Sequence, residues 1–239
     1  MPETWVNALK KYSYRVNLAE YKSARDFPNF FNRQIKGDRD STMLFEDYFR
    51  ANIQEVQVWY EVTFWKLYSQ KRWRDNTTAE LVQRLCAEPE VTTRKLIPTL
   101  ESFINDPGRN SFDHLRKLLF RSSVIATTAT FPAFFDPDNF PMVDTRVARW
   151  VNSQLDVHNA KNPHAPQLTR SQYSPDKATA LTMTDFGFYV DWINWTRYMG
   201  NRLSKLTKTK WRARDVEMAV FTAWGDRGCF HPWLRLNAI

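Results

Sequence analysis

The chain has 239 residues, with 34 Lys and Arg against 26 Asp and Glu and a formal net charge of +8. Its 10 Trp, 9 Tyr and 17 Phe exclude disorder over most of the length, because so many rings need burial or a flat ligand to stack on. Six glycines exclude collagen-like and Gly-rich sequence, two cysteines (Cys86 and Cys229) exclude a disulfide framework, and no apolar run nears the about 20 residues of a membrane span.

Helical periodicity dominates in chain order. The apolar set Ile53, Val56, Tyr60, Phe64 and Leu67 predicts a long amphipathic helix from Ile53 to Tyr68. Thr77 and Glu80 form a capping-box pattern before Leu81, Val82 and Leu85, and Pro89 and Pro98 punctuate the next stretch of chain. Asn105-Asp106-Pro107-Gly108 reads as a turn, after which Asn110 or Ser111 caps a helix carrying Leu115, Leu118 and Leu119. Val124 to Phe131 is β-branched enough for a strand, but its helical surroundings favour a helix. Asp136-Pro137-Asp138-Asn139-Phe140-Pro141 is a loop, and Asp144 then caps a helix whose buried stripe is Val147, Val151 and Leu155. Residues 156–185, with Pro163, Pro166 and Pro175, read as a long polar loop or insertion. Two helices come after it, Phe188 to Tyr198 and Asp215 to Trp224, the second ended by Gly225. The fold class expected is all-α.

The charge is unevenly spread. No acidic residue falls between Asp191 and Asp215, where Arg197, Arg202, Lys205, Lys208, Lys210, Arg212 and Arg214 alternate with Trp192, Trp195, Tyr198 and Trp211. Lys66, Lys71, Arg72 and Arg74 surround Trp65 and Trp73 in a second cluster. Basic groups neutralise phosphates and aromatic faces stack on unpaired bases, so a nucleic acid is the first partner to expect. The N-terminus lacks the basic-then-apolar order of a signal peptide, and with two cysteines a cytoplasmic location is expected.

The segment richest in chemistry is Val143-Asp144-Thr145-Arg146-Val147-Ala148-Arg149. A carboxylate at a helix N-terminus meets free backbone N–H groups and the positive end of the dipole, which favour its ionised form. Reached by substrate, such a group stabilises developing positive charge or orients a water; otherwise it is a structural cap. The segment resembles the Val-Asp-Thr-His-Val-x-Arg signature of the helix-hairpin-helix DNA glycosylase superfamily, with wording closest to its 8-oxoguanine glycosylase branches and their bacterial relatives. Arg121 to Phe131 is similar to the second helix of that family's hairpin, so residues 111–131 correspond to the hairpin as a whole.

The resemblance, strongest over residues 111–151, implies one compact unit over 1–239. Its two helical lobes would be residues 45–140, and 1–44 with 141–239, with a DNA-binding cleft between them. It implies excision of a damaged or modified base flipped out of double-stranded DNA, by a monomer without metal or cofactor, and makes Asp144 the catalytic carboxylate. Backbone contacts fall to Arg121, Ser122, Ser123, Arg146 and Arg149. Tyr60, Glu61, Trp65, Trp192 and Trp195 are the expected base-pocket residues. The hairpin departs from the family's Leu-Pro-Gly-Val-Gly: Arg116-Lys117-Leu118-Leu119-Phe120 has no glycine, which makes Ser122 and Ser123 the candidates to cap the second helix. Arg146 replaces the signature histidine. Arg121 occupies the place of the nucleophilic lysine of bifunctional members, and arginine stays protonated, which implies hydrolysis that leaves an abasic site. Three alternatives stay open: a glycosylase/lyase using Lys117, a catalytically silent DNA-binding protein, and an all-α protein-interaction module. Oxidised guanine and a modified base of bacteriophage DNA, the latter implying a defence role, are both admissible substrates. His114, His158, His164 and His231 show no zinc-ligand spacing.

Overall fold

The structure, a computed structural model, describes residues 2–14, 38–68, 81, 85, 87, 88, 90–120, 123–174 and 180–224. Every regular element among them is helical, apart from an isolated bridge between Val124 and Thr182. In chain order the helices are α1 (Pro2–Lys10), α2 (Arg39–Ala51), α3 (Val56–Tyr68), α4 (Ile97–Asn105) and α5 (Arg109–Leu119). The rest are α6 (Ile125–Thr128), α7 (Thr130–Phe135), α8 (Thr145–Lys161), α9 (Phe186–Thr207) and α10 (Ala213–Trp224). None is long and apolar enough to cross a membrane.

The chain divides into two compact units, one of residues 1–12 with 123–239 and one of residues 13–122. The boundaries therefore differ from the lobes read in the sequence, falling at 123 in place of 141 and at 12 in place of 44. Hydrogen bonds give the reason for the first shift. Ile125 N–H donates to the Leu181 carbonyl (2.9 Å) and Met183 N–H to that of Ser123 (3.1 Å). Further on, Ala213 and Arg214 donate to the carbonyls of Asp138 and Pro137. These bonds fasten residues 123–140 to the C-terminal half. The unit boundary thus cuts the expected hairpin, leaving α5 in one unit and α6 in the other.

In the unit of residues 13–122, Asp38 caps α2 by accepting from Ser41 N–H at 2.9 Å. Helix α3 starts at Val56, after a turn closed by Glu55 N–H on the Asn52 carbonyl, three residues later than its sequence suggests. Its buried face also differs. Val58, Trp59, Val62 and Trp65 are fully buried, whereas Ile53, Val56 and Tyr60 are half-buried; the Phe64 and Leu67 side chains lie outside the described residues. Because α3 is apolar on nearly every side, periodicity cannot pick out its inner face. Thr77, Glu80, Val82 and Pro89 also lie outside the described residues, while Leu81 and Leu85 are buried. Pro98 does not interrupt the chain. It sits in the first turn of α4, where a missing N–H costs no helical hydrogen bond, directly after a π-helical turn at Thr92–Leu96. Gly108, not Asn110 or Ser111, is the N-cap of α5, with no side chain to cap it. Phe112, Leu115 and Leu119 bury its inner face, and Phe112 meets Phe103 of α4 edge-on at 5.1 Å.

In the other unit, α1 packs on α10 and α9, burying Trp5 and Ala8. The stretch preferred as a helix over Val124 to Phe131 is helical from Ile125, but as two short helices meeting at Ala129. Helix α9 extends to Thr207, well past Tyr198, and Lys208 turns the chain in the left-handed region (φ 58°). Gly200 lets the returning segment approach: a Cβ there would lie 3.0 Å from the Trp211 carbonyl oxygen. Gly225 lies outside the described residues.

The polar region of 156–185 begins as helix, since α8 runs to Lys161. The described part of the loop beyond it is tied down by α8. Asn159 Nδ2 donates to the Leu168 carbonyl (2.8 Å) and its Oδ1 accepts from Leu168 N–H (3.0 Å). Two turns earlier, Asn152 Nδ2 donates to the Ser171 carbonyl and its Oδ1 accepts from Ser171 N–H at 2.9 Å. Each amide satisfies a backbone donor and acceptor as a neighbouring strand would. Replacing Asn152 with alanine should cost about 1–3 kcal/mol, from three broken hydrogen bonds to Ser171 and the backbone groups they leave unpaired. Amide hydrogen exchange at Ser171 should accelerate while that of α8 holds; unchanged exchange at Ser171 would show that the loop is held by other means.

Candidate functional site

The approach to Asp144 is bolted at several points. Asn139 Nδ2 grips the Asp136 carboxylate (2.9 Å to the nearer oxygen), and Phe140 N–H donates to the Asp136 carbonyl at 2.9 Å. Arg197 Nε donates to the Asn139 carbonyl at 2.8 Å, with its guanidinium 4.7 Å over the Phe140 ring. Trp192 Nε1 donates to the Met142 carbonyl at 3.0 Å, and the Tyr189 hydroxyl reaches that of Pro141 at 3.4 Å. Phe140, Met142 and Val143 are buried, so the peptide before Asp144 is gripped by apolar packing as well as by hydrogen bonds.

Asp144 itself is extended (φ −148°, ψ −177°) and caps α8 as its sequence suggests. Its Oδ1 accepts from Arg146 N–H and Val147 N–H, both at 2.9 Å. Among the described residues its Oδ2 accepts no hydrogen bond, and the side chain is half-buried. Val147, Val151 and Leu155 are buried beneath, as the stripe requires. The carboxylate is held through one oxygen by two backbone amides, as a helix cap.

Two of the expected DNA-contacting cations follow it in the first turns of α8. The Arg146 guanidinium stacks 4.4 Å from the centroid of Phe221 on α10. Arg149 Nη2 donates to the Tyr173 hydroxyl at 2.7 Å, and its guanidinium lies 5.3 Å from that ring's centroid. Tyr173 carried no signal in the sequence; the pairing depends on the loop being folded back on α8. Ser123 is exposed at the bridge before α6, whereas Arg121 and Ser122 lie outside the described residues.

The tryptophans of α9 are core. Trp192 and Trp195 expose no surface and stack on each other with centroids 5.2 Å apart, and Trp150 packs edge-on and tilted against them. Trp195 Nε1 donates to His158 Nε2 at 2.9 Å, so that nitrogen is an acceptor and the buried imidazole is neutral. Burial, the largest influence, holds the His158 pKa below its ordinary value. Trp192 thus bonds to the Met142 carbonyl, two residues before Asp144, and has no exposed ring face on which a base could stack.

The basic run of residues 197–214 is also less open than its sequence suggests. Arg212 makes a buried bidentate contact with Asp215, with its Nη2 3.0 Å from Oδ1. Arg214 is fully buried beside Glu217, and Lys210 pairs with Asp138 at 2.6 Å. Lys205 and Lys208 remain exposed. The i, i+3 spacing of Arg212 with Asp215 and of Arg214 with Glu217 was the available signal for this internal neutralisation.

Tyr60, Glu61 and Trp65 belong to the unit of residues 13–122. Trp65 is fully buried, stacked on Tyr14 at 4.4 Å and 18°. The other basic cluster loses Lys66 to the interior, and Lys71, Arg72, Trp73 and Arg74 lie outside the described residues. Glu61 is buried, and burial pushes its carboxyl up to about 7 against the opposing hydrogen bonds of Gln57 (2.9 Å) and Tyr48. The same burial, with Glu61 close by, pushes the Tyr48 hydroxyl up to about 12.

An acid whose pKa rises on folding binds its proton more tightly in the native state. Its contribution is therefore favourable at acid pH and is lost as pH rises from about 4.5 through about 7. Glu61→Gln should remove this loss, on the order of 2 kcal/mol after allowance for solvent screening. Urea unfolding at pH 5 and pH 8 should find the variant gaining on the parent at the higher pH; parallel profiles would contradict the buried-acid assignment.

Comparison with protein-family models, with curated proteins and with solved structures gives no match.

Proposed function

We propose that the chain is a DNA glycosylase of the helix-hairpin-helix type that hydrolyses the N-glycosidic bond of a flipped-out damaged or modified base, with Asp144 as its catalytic carboxylate. One observation carries this reading. Asp144, at the aspartate position of the Val143–Arg149 segment, has one oxygen anchored by two amides and its other oxygen without a hydrogen bond from a described residue.

As the bond between C1′ and the base nitrogen breaks, the bonding pair leaves with the base and positive charge builds on the sugar. A fixed carboxylate stabilises that charge, as carboxylates do in sugar hydrolysis. Water then adds to C1′ and loses a proton, and the departing base takes one up, leaving an abasic site. Arg146 and Arg149, steadied by Phe221 and Tyr173, supply cations for the DNA backbone. Lys117, the alternative nucleophile, has its Nζ 2.7 Å from an Asp113 oxygen on the exposed face of α5.

A second reading, a catalytically silent DNA-binding protein, is favoured by one observation. The stretch corresponding to the hairpin's second helix is broken at Ala129, and α6 at its start has only four residues. Such a short helix is barely one turn long and has little aligned dipole to offer a phosphate. Incubation with oxidised DNA and with heavily modified bacteriophage DNA separates the two. The first reading requires alkali-sensitive abasic sites in at least one DNA; the second requires salt-dependent binding and no abasic sites in any.

A further inference from the structure

A groove of about 430 Å³ opens on the unit of residues 13–122, distant in sequence from the Asp144 segment. One wall is built by the π-helical turn and α4. The i, i+4, i+8 positions Arg94, Pro98 and Ser102 line it, with Lys95 and Thr99 alongside. The facing wall is Ser111 and His114, one turn apart at the start of α5. Among the described residues, no carboxylate lines this groove. Arg94 Nη1 reaches Glu90 Oε2 at 2.9 Å in an exposed pair, leaving the other guanidinium donors available. Lys95 and His114 form no ion pair with a described residue.

Two further features point to a ligand. Thr99 is 8% exposed and lines the groove, and among the described residues its hydroxyl makes no hydrogen bond, which leaves it able to donate into the groove. At the opposite wall, Gly108 gives α5 no side-chain cap, so the first-turn N–H groups of this 11-residue helix lack a side-chain acceptor. Hydroxyl donors, guanidinium, ammonium and helix amides around one concavity favour a tetrahedral oxyanion.

We propose that this groove binds a phosphate group, carried either by the backbone of duplex DNA or by a free phosphate compound. The DNA source rests on the reading of the chain as DNA-directed; the phosphate chemistry does not. Arg94 and Lys95 provide the charge, Thr99 and Ser102 donate hydroxyl hydrogen bonds, and the start of α5 closes the site.

The test uses the full chain, with Arg94→Ala/Lys95→Ala and, separately, Ser102→Asp, which opposes the ligand's charge without removing a cation. Inorganic pyrophosphate at millimolar concentration should shift the amide resonances of Ser111 and His114 in the parent and in neither variant. An unmodified 25-base-pair duplex, followed by fluorescence anisotropy across a salt series, should bind both variants at least ~10-fold more weakly at low salt. For the double variant the slope of log K against log salt should also be shallower by about two, one for each phosphate that is no longer neutralised. A pyrophosphate response without a change in DNA binding keeps the site and assigns it to a free phosphate compound. Weaker DNA binding by the variants, in a protein that forms no abasic sites, keeps the site and removes the glycosylase reading. If pyrophosphate moves neither amide and the variants bind DNA as the parent does, the proposal is overturned, even where abasic sites form.

Discussion

Asp144→Asn is expected to lower base release by about 10²–10³-fold while leaving the protein folded. Asparagine caps a helix about as well as aspartate, and its carbonyl oxygen can accept from Arg146 N–H and Val147 N–H as Oδ1 does. The substitution removes the charge alone. The stability cost should then be confined to the helix-dipole interaction, about 0.3–1 kcal/mol. Asp144→Ala removes the cap as well and should lose a further ~1 kcal/mol in urea unfolding. Single-turnover rates and unfolding curves for the two variants separate catalysis from capping. Equal rates for Asp144→Asn and the parent would reduce Asp144 to a structural cap; unfolding of Asp144→Asn would mean that its charge is needed by the fold.

Trp195→Ala is expected to destabilise the protein by about 3–5 kcal/mol, the cost of emptying a fully packed tryptophan site. The indole packs against Trp5, Trp150, Trp192 and His158, with ring centroids between 5.2 and 6.4 Å away, so the seam joining helices α1, α8 and α9 loosens as a whole. Trp195→Phe isolates one part of that loss. It keeps most of the apolar volume but leaves His158 Nε2 without its donor, for an expected cost of about 1–3 kcal/mol. Thermal or urea unfolding of both variants checks the pair. Were Trp195 a stacking platform for a flipped base, alanine would impair base release and spare stability.

The legibility of each part depends on how locally its determinants lie in the chain. The Asp144 cap and the Val147, Val151, Leu155 stripe were readable because α8 has one apolar and one polar side, and because its cap comes after a Pro-containing loop. Helix α3 was readable as a helix but not for its inner face, since apolar residues occupy most of its circumference. The basic run was misjudged because a tally of charge ignores partners three residues away: Asp215 and Glu217 lie just past its end and take up Arg212 and Arg214. Proline also misled at Pro98, where the preceding π-helical turn converts a breaker into a first-turn residue. The arginine clamp by Tyr173 and the amide clamps by Asn152 and Asn159 depend on a loop folding back onto α8, in the longest case across 24 residues of sequence. No local pattern encodes such long-range pairing, although Arg149, Asn152, Asp156 and Asn159 do form a polar stripe along α8.

The most direct measurement is mass spectrometry of the low-molecular-weight fraction after the parent protein is incubated with genomic DNAs carrying different modified bases, alongside Asp144→Asn. Release of a free base by the parent, with an abasic site for each base released and at least ~100-fold less from the variant, is the expected result. No free base from any DNA, or equal release by the two proteins, would contradict an excision reaction centred on Asp144.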